Sequence, residues 1–86
     1  MPVIALFHGI AVSMHWNDHE PAHFHARYAE HEGIVAIREG VVMRGFLPRR
    51  QLKLVLAWAE LHGDELMENW ELARLGKPLR SIEGLR

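Results

Sequence analysis

Apolar and polar positions alternate with a period of two through the first half of the chain, then recur at helical spacing through the second half. Val3 to His8 reads as a first strand punctuated by Gly9, and Ile10, Val12, Met14 and Trp16 alternate with Ala11, Ser13 and His15 in a second. Asn17 to Ala22 is a loop, with side chains suited to bonding their own backbone and Pro21 to hold φ. A third strand runs from His23 to about Ala29, with Phe24, Ala26 and Tyr28 on one side and His23, His25 and Arg27 on the other. Glu30-His31-Glu32-Gly33 is expected to turn the chain into Ile34 to Arg38, and Glu39-Gly40 to form a hairpin into Val41 to Phe46. That is an antiparallel β-meander of four or five short strands over residues 3–46.

Beyond Pro48 the period changes. Leu52, Val55, Leu56 and Ala59, flanked by Leu54, Trp58 and Leu61, predict a helix over 48–62 that is covered on most of its girth. Gly63 is expected to end it and Asp64 to cap a second helix over 64–76, whose inner stripe is Leu66, Met67, Trp70 and Ala73. Gly76-Lys77-Pro78 is a stop signal, and 77–86 reads as an extended or frayed tail. The expected fold is α+β: the meander followed by two helices packed on one face, as a single domain of 86 residues.

Composition narrows the function classes. The formal net charge of −1 provides no global field towards nucleic acid. Seven histidines nevertheless make the charge pH-sensitive, turning it positive through about pH 6 to 6.5. Cysteine is absent, which excludes thiolate metal sites and disulfides and fits a cytoplasmic location. The N-terminus has neither the basic region nor the cleavage site of a signal peptide. No apolar run approaches the ~20 residues of a membrane span, so no membrane partner is expected.

The chemistry concentrates between Trp16 and His25, where three histidines, Asp18, Glu20 and Pro21 share ten residues. His23 and His25, two apart on a strand, point to one face about 6.5–7 Å apart and can converge on one ion. His15 is expected on the same face of the neighbouring strand, with Asp18 or His19 leaning in from the loop. His15, Asp18, His23 and His25 are therefore candidate ligands of Zn2+ or another divalent metal. A metal-free alternative uses Asp18, His19 and His23, with His25 beside them, for acid–base catalysis of phosphodiester cleavage. The bland alternative is a solvated histidine face beside a tight turn.

Arg49, Arg50 and Lys53 oppose the dipole at the start of the first helix, which suggests RNA or partner contact, against the simpler reading of a solvated charged face. Trp58 and Trp70 are expected in the core. The second helix carries Glu65, Glu68 and Glu71, the wrong sign for reading a DNA major groove.

The Trp-Asn-Asp-His-Glu-Pro-Ala-His-Phe-His-Ala segment, the opening Met-Pro-Val-Ile and the helical Leu-Val-Leu-Ala-Trp-Ala-Glu-Leu-His and Glu-Leu-Met-Glu-Asn-Trp-Glu-Leu-Ala resemble a small bacterial domain-of-unknown-function family, number 4160. The resemblance falls on Asn17, Asp18, His19, Pro21, His23, Phe24 and His25, and in the helices on Trp58, Glu60, Asn69, Trp70 and Glu71. It implies no established activity. It does imply short stand-alone proteins, often paired with a second uncharacterised family (number 2442) in a toxin–antitoxin-like operon. Two function classes follow: an interaction module with a protein partner or a second copy of itself, and a metal- or histidine-dependent nuclease or phosphoester hydrolase.

Overall fold

The computed structural model describes residues 1–86. Five strands, β1 (Val3–Phe7), β2 (Ile10–Ser13), β3 (His23–Tyr28), β4 (His31–Ala36) and β5 (Val41–Gly45), form one antiparallel sheet in sequential order. Two helices follow, α1 (Arg49–Leu61) and α2 (Gly63–Arg74), completing an α+β meander-then-helices fold. Register sets the faces. Ile10 pairs with Tyr28 and Val12 with Ala26, while Ala26 and Phe24 pair with Gly33 and Val35. These positions, with Met14 one step beyond β2, share the face packed against Val55, Trp58, Leu66 and Trp70. The Phe24 ring stands edge-on to Trp58 at 5.7 Å.

Two bulges adjust the pattern. In β1 the register shifts between Val3 and Ala5, so Ile4 and Ala5 are both buried although adjacent. In β4 and β5 the shift leaves Met43 between the partners of Ile34 and Val35.

Several boundaries differ from the sequence reading. The turn expected over 30–33 is made by Ala29 and Glu30, and His31, Glu32 and Gly33 belong to β4. Gly33 is needed for close approach rather than for turning, since a Cβ there would sit 3.1 Å from Leu47. Its partner Gly45, at φ +82°, lies where a Cβ would meet the Glu32 carbonyl oxygen at 2.1 Å. Gly63 does not end α1, and Asp64 is not a cap. His62 alone separates the helices, at φ −114° and with no side-chain cap bond, and Gly63 opens α2. The His62 N–H still donates to Trp58 O, and His62 O accepts from Leu66 N–H, so the chain changes direction without needing a longer loop.

The stop at Gly76 is as expected. Lys77 N–H donates to Leu72 O and Gly76 N–H to Ala73 O around a left-handed Gly76, a Schellman closure. The tail is extended but not frayed. Ile82 is buried and its N–H donates to Ile4 O on the edge of β1. Trp58 Nε1–H donates to Glu83 O, and the buried Asn69 amide both donates to Arg80 O and accepts from Arg80 N–H. No helix is long and apolar enough to cross a membrane.

Candidate metal centre

The period-two geometry of β3 puts His23 and His25 on the side of the strand away from Phe24. Ser13 pairs with His25, so His15, two residues further on, follows on the same side. Its ring lies edge-on to His25 at a centroid distance of 4.6 Å. The His23 and His25 rings are 5.5 Å apart.

The 17–22 loop brings the carboxylate. Asn17 adopts a left-handed φ of 59°, which Asn tolerates, and its N–H donates to Ala73 O at the end of α2. Trp16 Nε1–H donates to Lys77 O at 2.9 Å, tying the loop's entrance to the same helix end. Thus anchored, the loop sets Asp18 Oδ2 2.9 Å from His23 Nε2, while Asp18 Oδ1 accepts from His19 N–H at 2.9 Å.

The hydrogen bonding around His23 is restrictive. Its Nδ1 lies 2.8 Å from Pro21 O, which can only accept, so Nδ1 carries a proton. A neutral ring would then turn its Nε2 lone pair on the Asp18 carboxylate. A second proton or a cation is required between them. The Trp70 ring, 5.1 Å from that of His23, closes the inner side, and Trp70 Nε1–H reaches Glu20 Oε2 at 3.4 Å.

His25 is different. Both of its ring nitrogens are buried and neither makes a hydrogen bond; Glu32 Oε2 stands 3.4 Å from Nδ1 but out of line for one. Burial, reinforced by the charge of neighbouring His15, lowers the His25 pKa against the opposing pull of Glu32. A neutral ring with a free lone pair is the form that ligates metals. The Asp18 carboxyl is raised by its partial burial, but the His19 N–H and the His23 ring outweigh this and leave it below the usual carboxylate value.

One ligand atom from each of Asp18, His23 and His25 lies within 4.8 Å of the others. Ligand atoms around one tetrahedral zinc stand about 3.3 Å apart, so the three would have to adjust their spacing to share an ion. Three nitrogen and oxygen donors leave a coordination position open, the arrangement of catalytic rather than structural zinc sites. The set opens into a cleft of about 470 Å3 on the sheet face turned away from the helices.

Among the other candidates, His15 lines this cleft but falls outside the three-ligand cluster, and His19 is almost wholly exposed, with Nδ1 3.2 Å from Asp18 Oδ1. Arg49, Arg50 and Lys53 are grouped with Leu54 in a separate shallow depression on α1, and none has a carboxylate within 4.0 Å. Trp58 and Trp70 are buried, as expected. Sequence reasoning missed Glu32 beside His25, because it was assigned to a turn; extending the β3–β4 register back to His31 recovers it. It also missed Trp70 as the wall behind His23, a contact between residues far apart in the chain.

No curated protein and no solved structure matches the chain. A protein-family model does: it matches residues 9–71, which take in the 16–25 segment, α1 and most of α2, and the chain belongs to the family described as Domain of unknown function (DUF4160).

Proposed function

We propose that the protein binds a divalent cation, zinc foremost, through Asp18, His23 and His25, and uses it to hydrolyse a phosphoester. The observation that carries this reading is His25, whose two ring nitrogens are buried and make no hydrogen bond, next to an Asp18–His23 contact that needs a proton or cation. A buried polar group without a partner is disfavoured by about 1–3 kcal/mol, and ligation removes that penalty. Held by Asp18, His23 and His25, the ion would supply Lewis-acid activation of water for attack on the phosphoester. The test is elemental analysis of untagged protein with zinc and manganese titrations. Near-stoichiometric metal, lost in His23→Ala/His25→Ala with the fold intact by circular dichroism, is expected. Absence of binding at micromolar zinc overturns the reading.

A second reading, an interaction module with a protein partner in a toxin–antitoxin-like pair, is favoured by the same sheet face. Val3, Leu6, Val41 and Met43 are all exposed on its strands, more apolar surface than a lone strand position explains. Sedimentation of the chain alone and with the product of an adjoining gene tests it: a shift in mass that Leu6→Glu/Met43→Glu abolishes is expected, and a chain that stays monomeric in both mixtures overturns it.

A further inference from the structure

We infer that the cleft over this site recognises a nucleoside phosphate, with the base stacked on Trp16 and the phosphate held by Arg44. The inference rests on the metal reading only for where the phosphate meets the ion.

Trp16 is unlike the other two tryptophans. Trp58 and Trp70 are buried, whereas Trp16 is 46% exposed and lines the cleft. An indole left in water is a poor use of a large apolar ring, yet this one is not loose. Its Nε1–H is fixed on Lys77 O and the next residue's N–H on Ala73 O, so it is pinned at one edge and open on its surface. That is the form of a stacking platform, which accepts any base because every base presents a π-face.

Arg44 lines the same cleft from β5, where it pairs with Ile34, itself the partner of His25. Its guanidinium has no carboxylate within 4.0 Å, whereas the other strand-region arginines do: Arg27 faces Glu32 and Arg38 faces Glu20. The cleft's carboxylates are likewise engaged, Asp18 by His23 and Glu20 by Arg38 and Trp70. The uncommitted charge in the cleft is therefore positive, and it selects an anion. A guanidinium suits phosphate because its planar fork can donate two parallel hydrogen bonds. A cleft of about 470 Å3 falls within the range of small-molecule sites. An aromatic platform, a free cation and a metal set in one cleft match the three parts of a nucleotide reaction centre: base, phosphate and scissile bond.

The chain itself, with zinc added, would be titrated separately with adenosine 5′-monophosphate, inorganic phosphate, adenosine and a single-stranded hexanucleotide by isothermal titration calorimetry. Saturable binding of the monophosphate is expected, tighter than with phosphate or adenosine alone. Trp16→Leu, which keeps an apolar side chain but removes the π-face, should weaken binding about 5- to 150-fold. Arg44→Ala should weaken it about tenfold. Arg44→Ala should retain the parent's zinc content and melting temperature, because Arg44 is in neither the ligand cluster nor the core. Trp16→Leu also loses the bond to Lys77 O, so its nucleotide affinity is compared with the parent's at matched zinc occupancy. Tighter binding of the hexanucleotide identifies the unit as part of a strand, and tighter binding of the monophosphate as a free nucleotide. Normal zinc binding with no saturable response, or affinities indifferent to both substitutions, overturns this inference while leaving the metal reading intact. Nucleotide binding with no zinc uptake does the reverse.

Discussion

The two sides of β3 have opposite characters although they share six residues. On one side Phe24 and Ala26 are sealed beneath the helices, with no polar atom to satisfy. On the other, His23 and His25 put four ring nitrogens at the end of a cleft, and two of those nitrogens have no hydrogen-bond partner. The first side explains why the sheet folds. The second adds nothing obvious to folding and contains an unsatisfied group that a packed apolar residue would avoid. A side chain retained against the stability of its own surroundings is best explained by what it binds.

The strongest break in that comparison is Phe24→Ala. Removing a fully buried ring beside Trp58 should cost about 3–5 kcal/mol in urea denaturation. His25→Leu on the opposite side should behave the other way in metal-free protein. Stability should be unchanged or higher by about 1 kcal/mol, because both unpaired nitrogens are removed. The same variant should lose the added stability of about 2.7 kcal/mol that zinc at a hundred times its dissociation constant gives a binding protein. A large loss in metal-free His25→Leu would instead make the ring structural.

Acid should also separate the two sides in the metal-free protein. The His25 pKa is lowered in the fold, chiefly by burial, so below its ordinary value of 6.5 the unfolded chain binds a proton that the folded chain does not. Stability therefore rises with pH through the window just below 6.5 and falls on acidification there. Asp18, also lowered, contributes stability that is present above its ordinary value of 3.8 and is lost as pH falls through its lower folded value. Urea midpoints from pH 3 to 8 should show both falls, and His25→Leu should flatten only the upper one. The smallest effect belongs to Leu6→Gln. At 71% exposure on the cleft side of the sheet, it should change stability by no more than about 0.5 kcal/mol in the isolated chain. Any larger effect appearing only with a protein partner would mark that face as an interface.

The histidine segment could be found in the sequence because its chemistry is local. His23 and His25 share a face by strand period alone, and Asp18 is only five residues from His23. The place of Arg44 in the cleft could not be found this way, since it gets there through two successive strand registers, His25 to Ile34 and Ile34 to Arg44. Nor could Glu32, which a turn reading of Glu30 to Gly33 removed from the sheet. Gly33 suggested a turn, but it is glycine because Leu47 approaches it. A glycine required by chain direction and one required by a distant neighbour look the same in sequence.

What the sequence determined by itself is the order and type of the elements, the apolar face of each, the Gly76 stop and the clustering of Asp18, His23 and His25. All of these follow from side-chain periodicity and backbone preference within a few residues. Only the tertiary structure decided that the tail is clasped rather than frayed, because its order comes from Asn69, Trp58 and Ile4, residues at least eleven positions away. It also decided which imidazole is left without a partner. Whether a buried nitrogen finds a donor or acceptor depends on every element packed around it, and no local pattern carries that information.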